Sequence, residues 1–137
     1  MIGILVISIV LAWLLGKVLK TIIFWVREKR ISLGVLLYDG GMPSLHTIIV
    51  ASLATGLYLG TGFSALFILS VVLGLIVIND ALKVRRITQE QSRIINRLTQ
   101  GKKGFKRLNE HVGHSPLEVV VGLIIGIIIP VIIYAFL

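Results

Sequence analysis

The chain has 137 residues, 56% of them hydrophobic, and a formal net charge of +8. This composition is too apolar for a soluble core and fits a bundle of membrane-spanning helices in one domain, residues 1–137. The chain contains no cysteine, which excludes disulfide bonds within it and thiolate chemistry. All Lys and Arg residues except Lys17 and Lys20 lie in two segments, 27–30 and 83–107, so the positive charge is concentrated in two places.

Hydrophobic runs predict four membrane-spanning helices, because a hydrocarbon core of about 30 Å needs roughly 20 helical residues. The runs cover residues 2–26, 44–59, 63–81 and 116–137. The first run has its cations after it and none before it, so we interpret it as a retained transmembrane helix rather than a signal peptide. Gly122 and Gly126 have the spacing of close helix packing, which we attribute to contacts within the chain.

The two basic segments predict the orientation in the membrane. Helices in series alternate direction, so the loops after the first and third helices lie on one side, and the positive-inside rule places that side in the cytoplasm. Ile87, Ile94, Ile95 and Leu98 are spaced for an amphipathic helix on the membrane surface, whose cations attract anionic lipids. We therefore expect an all-α, multi-pass membrane protein: about four transmembrane helices, with a basic interfacial segment between the third and fourth.

The segment GGMPSLH, residues 40–46, predicts a helix start with a reactive side chain. Ser44 is a typical N-cap, and His46 then lies in the first turn near free N–H groups, which bind anions. Gly40 and Gly41 allow the backbone to approach a ligand closely. The segment therefore fits a phosphate cradle with a proton donor at its edge. A polar helix start at the lipid interface is an equally simple interpretation.

The segment GHSPLEV, residues 113–119, supports two roles for one carboxylate. Ser115, Pro116 and Glu118 match a capping box, in which Glu118 serves the start of the fourth helix. Glu118 is also four residues after His114, and a carboxylate beside a histidine selects its tautomer and stabilises its charged form. The sequence leaves both roles open.

Several cations are expected at the same membrane face. Lys20 lies inside an apolar run, where a charge needs a partner or an aqueous cavity unless it extends to the head groups. Asp80 is a candidate partner for Lys17 or Lys20. Arg85 and Arg86 are suited to bidentate binding of phosphate oxygens, although such residues also anchor loops in the cytoplasm.

Three segments in this order, residues 40–46, 80–86 (DALKVRR) and 113–119, resemble the divergent PAP2 family. These small membrane proteins are related to type 2 phosphatidic acid phosphatases, whose blocks are Lys-x6-Arg-Pro, Pro-Ser-Gly-His and Ser-Arg-x5-His-x3-Asp. The segment Pro43–His46 is similar to the second block, with Leu in place of Gly. His114 and Glu118 are similar to the end of the third block, with Glu in place of Asp. That block is split here, because a long insertion separates its Arg, either Arg85 or Arg86, from the histidine.

The first block is matched in spacing by Lys20 and Arg27, with Glu28 in place of Pro. The resemblance implies that His114 is the nucleophile, that Glu118 orients it and that His46 protonates the leaving alcohol. It implies that phosphoryl oxygens are bound by Lys20, Arg27, Ser44 and Arg85 or Arg86. Gly40, Gly41 and Asp80 are candidate supporting residues. No cofactor is expected. Carboxylates could still hold Mg²⁺ with a substrate phosphate, and the candidates are Asp39, Asp80 and Glu118.

The expected function is hydrolysis of a lipid phosphate monoester, such as phosphatidylglycerophosphate or phosphatidate, at the cytoplasmic face. One alternative is a non-catalytic protein of this family that binds anionic lipids. A reversed topology would instead favour an isoprenyl (undecaprenyl) diphosphate. A small channel is disfavoured because the second and fourth helices offer no continuous polar path. Nucleic acid is not an expected partner, because membrane anchoring explains the basic residues more simply.

Overall fold

The computed structural model describes residues 2–29 and 40–137, except for the side chains of Arg27 and Glu28. The described residues form helices and no strand, which confirms the predicted all-α membrane fold. The helices are α1 (Ile2–Glu28), α2 (Leu45–Thr61), α3 (Ala65–Asn79), α4 (Arg85–Leu98) and α5 (Pro116–Phe136). One π-helical segment, Asp80–Val84, joins α3 to α4.

Three of the helical stretches are long and apolar enough to cross a membrane: 2–26, 65–98 and 116–136. The second predicted span corresponds to the apolar helix α2, which has 17 residues. The stretch 65–98 has 34 residues. Its rise of about 50 Å exceeds a hydrocarbon core of about 30 Å. The predicted interfacial segment is therefore helical, but α4 continues directly from α3 and extends beyond the thickness of the membrane core.

Helix α2 lies at the centre of the bundle and packs against α1, α3 and α5, while α1 also packs against α5. Glycines on α5 bring two backbones together: a Cβ atom on Gly126 would lie 2.6 Å from Ala51 Cβ and 2.8 Å from the Ile48 carbonyl oxygen. A Cβ on Gly122 would lie 2.8 Å from the Ser44 carbonyl oxygen. The predicted role of both glycines in packing within the chain is confirmed.

A stripe of small residues on α1 positions a lysine. Ser8, Ala12 and Gly16 are buried at intervals of four residues, and Lys20 is the next position on the same helix face. A Cβ on Gly16 would overlap the side chain of Ile48, so α1 lies directly against α2 here. The stripe carries Lys20 into the bundle at 5% relative exposure, which does not fit extension of its side chain to the lipid head groups.

Candidate active site

The start of α2 is fixed by its predicted cap. Ser44 Oγ accepts hydrogen bonds from Thr47 N at 3.4 Å and from Thr47 Oγ1 at 3.0 Å. The backbone N–H of Ser44 donates to the Glu118 carbonyl oxygen at 3.1 Å. Because this bond joins the first turns of α2 and α5, the two predicted motifs lie side by side at one end of the bundle.

The start of α5 resolves the two roles that the sequence left open for Glu118. The capping box is present, with Ser115 as N-cap and Glu118 at N3. Glu118 Oε2 accepts a hydrogen bond from Ser115 N at 3.2 Å and lies 3.0 Å from His114 Nδ1. A capping box turns the N3 carboxylate back toward the residues before the helix. The same oxygen therefore caps the helix and contacts the histidine, although His114 lies outside the helix.

His114 is held in a defined orientation. The residue is 2% exposed, and its backbone N–H donates to the Ala81 carbonyl oxygen at 3.3 Å. A carboxylate against Nδ1 favours the tautomer with its proton there, which leaves a lone pair on Nε2. Nε2 is buried and has no hydrogen-bond partner among residues 2–29 and 40–137. Glu118 therefore fixes the ring through Nδ1 and leaves Nε2 available to a ligand.

His46 lies beside this imidazole. Its ring centroid is 6.4 Å from that of His114, and the two ring planes meet at 64°. His46 is half-buried in the first turn of α2, as the sequence predicted. The two motif histidines, 68 positions apart in the chain, thus form one pair at the polar end of the bundle.

The π-helical segment explains where Asp80 and Arg85 point. The N–H of Arg85 donates to the Asp80 carbonyl oxygen five residues back, and the side chains of the same residues form an ion pair at 2.7 Å between Nε and Oδ2. The predicted pairing of Asp80 with Lys17 or Lys20 is therefore wrong. The π turn brings positions five apart into contact, while Lys17 Nζ lies 4.1 Å from the centroid of the Trp13 ring.

A cavity of about 360 Å³, here called the His114 cavity, adjoins the histidine–carboxylate pair. Arg86 lines it, whereas Arg85 is not among the lining residues. The other lining residues come from α4 and from the segments before α2 and α5: Gly40, Gly41, Gln89, Glu90, Arg93, His111, Gly113, His114, Ser115 and Glu118. The sequence leaves Arg85 and Arg86 as equal candidates for binding phosphate, whereas in the structure Arg86 lines the cavity and Arg85 does not.

Glycines close the wall of this cavity. A Cβ on Gly113 would lie 2.7 Å from Arg86 Cα, and the Gly113 N–H donates to Gln89 Oε1 at 3.1 Å. The Gly40 N–H donates to the His111 carbonyl oxygen at 3.0 Å. Gly41 has a φ of 99°, and a Cβ there would lie 3.8 Å from Lys20 Cε. These glycines allow three chain segments to converge, and the side chain of Lys20 lies close to Gly41.

Most of the residues predicted for the site converge at this end of the bundle, but two lie outside the described part of the chain. These are Asp39 and the side chain of Arg27. Among the residues that are described, no three His, Asp or Glu side chains gather into a group that could hold a metal ion. Gln89, which accepts a hydrogen bond from the backbone beside His114, is a site residue that the motifs do not predict. Its position could have been inferred from spacing, since Gln89 follows Arg86 by three residues and therefore shares the same face of the helix.

These features define a helical membrane protein with an oriented histidine beside a cavity lined by two arginines. The family model of the divergent PAP2 family matches residues 3–129, and the chain belongs to this family. It is 31% identical to the uncharacterized membrane protein YuiD of Bacillus subtilis (strain 168), over 91% of this chain and 90% of that relative. No solved structure matches the chain. The resemblance inferred from the three motifs is confirmed.

Proposed function

We propose that the protein is a membrane phosphatase that hydrolyses a lipid phosphate monoester, such as phosphatidylglycerophosphate or phosphatidate, through a phosphohistidine intermediate. The observation that carries the proposal is the state of His114: Glu118 lies against Nδ1 at 3.0 Å, and Nε2 has no hydrogen-bond partner within the described residues. Buried polar atoms are nearly always hydrogen-bonded, so an exception beside a cavity is a candidate position for a substrate. Membership of the divergent PAP2 family supports the same chemistry.

The proposed reaction has two steps. In the first, the lone pair of His114 Nε2 attacks phosphorus, the bond from phosphorus to the lipid oxygen breaks, and His46 donates a proton to that oxygen. In the second, His46 accepts a proton from water, whose oxygen attacks phosphorus and breaks the bond to nitrogen. Inorganic phosphate leaves and both histidines return to their starting states. The separation of 6.4 Å between the ring centroids is compatible with a phosphoryl group flanked by both rings.

Cations would stabilise the transferred group, because phosphoryl transfer depends on positioning and on compensation of negative charge. Arg86 is favoured over Arg85 for this role, since it lines the His114 cavity while Arg85 Nε is bound to Asp80. Buried Lys20 approaches from α1, and Ser44 with the first turn of α2 would supply hydroxyl and N–H donors. Arg27 remains a proposed ligand on the strength of its motif. The mechanism requires no metal.

The basic loops favour a cytoplasmic site and therefore a lipid phosphate made on that side. The alternative substrate, an isoprenyl diphosphate handled on the opposite face, would require the reversed orientation. A non-catalytic lipid-binding protein of the same family is the other alternative.

The test is phosphate release by the purified protein in liposomes from phosphatidylglycerophosphate, phosphatidate and undecaprenyl diphosphate, with and without EDTA. We expect release from one of the first two lipids, loss of release in His114→Ala and His46→Ala, and no effect of EDTA. His111→Ala is the matched control, because His111 lines the cavity together with His114 but has no step in the mechanism. Absence of release from every lipid by folded wild-type protein would favour the non-catalytic alternative.

A further inference from the structure

A second cavity, of about 540 Å³, lies between the C-terminal half of α4 and the loop that follows it. We call it the Asn96 cavity; Asn96, Arg97, Lys102, Phe105 and Arg107 are among its lining residues. None of these five residues has a role in the proposed reaction. The cavity is larger than the His114 cavity.

Asn96 builds this cavity by holding the loop against α4. Its side-chain oxygen accepts a hydrogen bond from Leu108 N at 2.8 Å, and its amide nitrogen donates to the Leu108 carbonyl oxygen at 2.9 Å. The same nitrogen donates to Glu110 Oε1 at 2.7 Å. Gly101 and Gly104 have φ values of 81° and 90°, which permit the turns of the loop. The cavity therefore results from specific contacts rather than from a loosely placed basic tail.

The charges around the Asn96 cavity are not balanced within the described part of the chain. Glu110 faces two of the cations, with Oε1 3.3 Å from Arg107 Nη2 and a weaker interaction with Arg93, whereas Arg97 and Lys102 form no ion pair there. Arg93 and Arg97 are four residues apart on one helix, where like charges destabilise each other. At the start of α4, by contrast, Arg86 has Glu90 four residues later, with Nε 3.9 Å from Oε1. An anion in the cavity would supply the missing negative charge.

The chemistry of the lining suits a phosphate group, because guanidinium groups bind phosphate oxygens bidentately. Exposed apolar side chains next to the cations favour a lipid as the source of that phosphate. Phe105 in the lining is 64% exposed, and the neighbouring Ile94 and Leu98 on α4 are 57% and 67% exposed. A soluble anion would leave these side chains in water, whereas the acyl chains of a bound lipid would cover them.

We propose that the Asn96 cavity binds the phosphate-bearing head group of an anionic lipid, at a site separate from the His114 cavity. Arg93 lines both cavities, so this lipid would lie next to the proposed reaction site. The proposal concerns binding and does not depend on the proposed phosphatase activity. It also differs from general attraction to an anionic surface, because it requires a bounded site with particular side chains.

The experiment measures binding of phosphatidylglycerol to the full chain in neutral detergent micelles by native mass spectrometry, with phosphatidylcholine as the neutral comparison. Micelles with about one lipid per protein have no anionic surface, so general surface attraction is absent. Arg97→Gln/Lys102→Gln removes two lining cations, and Lys103→Gln/Lys106→Gln removes two cations of the same loop that do not line the cavity. Asn96→Ala opens the loop without changing the charge. Inorganic phosphate and glycerol 3-phosphate are the soluble competitors.

We expect phosphatidylglycerol to bind and phosphatidylcholine not to bind. Affinity should fall about tenfold or more in Arg97→Gln/Lys102→Gln, and also in Asn96→Ala, but less than about twofold in the control pair. Circular dichroism and gel filtration identify variants that are folded, and either the charge variant or Asn96→Ala is sufficient for the test. Equal losses in both charge pairs, or no loss in a folded cavity variant, would overturn the proposal. Displacement of the lipid by submillimolar glycerol 3-phosphate would overturn the assignment to a lipid.

Discussion

The His114 cavity and the Asn96 cavity adjoin each other and share Arg93, yet they differ in charge and in the burial of their polar groups. His114 is 2% exposed and Glu118 contacts it, whereas the cations of the Asn96 cavity are exposed. Burial with one defined hydrogen bond fixes the tautomer and direction of a side chain, which a chemical step requires. Exposed cations suit binding by charge. The comparison suggests that one cavity performs chemistry and that the other binds an anion.

The largest expected effect concerns the carboxylate of Glu118. In Glu118→Gln, an amide that donates to His114 Nδ1 would place the imidazole proton on Nε2 and remove the nucleophilic lone pair. We expect turnover to fall about 10³–10⁴-fold, as a carboxylate-to-amide change does in a catalytic triad. A loss of about 1 kcal/mol of stability should accompany it, because an amide nitrogen that donates to Nδ1 cannot also accept from Ser115 N. Steady-state phosphate release measures the effect.

Ser115→Ala is the matched control for this substitution, because it removes the cap hydroxyl and leaves the contact between Glu118 and His114. It should cost about 1 kcal/mol of stability, measured by thermal unfolding in detergent, and leave turnover within a few-fold of wild type. If Glu118→Gln behaved like Ser115→Ala, the carboxylate would be only a helix cap.

The next effect separates the two arginines. Arg86→Lys should lower kcat/KM about 10–100-fold, because a lysine cannot replace a bidentate guanidinium on a phosphoryl group. Arg85→Lys keeps a positive charge for Asp80 outside the His114 cavity and should change kcat/KM less than about threefold. A larger loss in Arg85→Lys than in Arg86→Lys would reverse the assignment of the phosphate ligand.

A smaller effect, on stability, tests the close approach of Gly113 to the backbone of Arg86. The Cβ of Gly113→Ala would lie 2.7 Å from Arg86 Cα and 3.0 Å from Arg86 N, which are backbone atoms that cannot rotate away. We expect a loss of about 1–3 kcal/mol in thermal or denaturant unfolding. Gly3→Ala is the control, since its Cβ meets nothing within 4 Å. Equal stability of the two variants would show that the loop can move away from α4.

Much of the fold could be predicted from the sequence, because hydrophobic run length and small-residue spacing directly reflect membrane thickness and helix packing. The pairing of His114 with Glu118 could be predicted from their spacing of four. Its geometry could not, since the contact arises from a capping box that folds the side chain backwards. The partner of Asp80 was predicted wrongly, because π-helical spacing has no recognisable pattern in the sequence.

The Asn96 cavity could not be predicted for a related reason. Asn96 and Leu108 are 12 residues apart, and their contact depends on turns at two glycines within a segment rich in cations. Such a segment is typical of a cytoplasmic basic loop, and nothing in its pattern predicts a cavity. The cavity forms only because the loop folds back onto α4 and is held there by Asn96.

The smallest expected effect is a titration that reports on the closed loop of the Asn96 cavity. The hydrogen bond from Asn96 lowers the pKa of the Glu110 carboxyl from its ordinary value, with help from Arg107 and against the opposing effect of desolvation. A lowered pKa in the folded state means that this contact stabilises the loop above the ordinary pKa and is lost as the pH falls through the lowered value. Carboxyl-carbon chemical shifts should therefore show Glu110 titrating at a higher pH in Asn96→Ala than in wild type. Arg107→Gln should raise the pKa less, because the Asn96 contact remains. An unchanged Glu110 titration in Asn96→Ala would mean that the loop does not close onto α4 in solution. The Asn96 cavity would then not exist as a bounded site, and the comparison with the His114 cavity would fail.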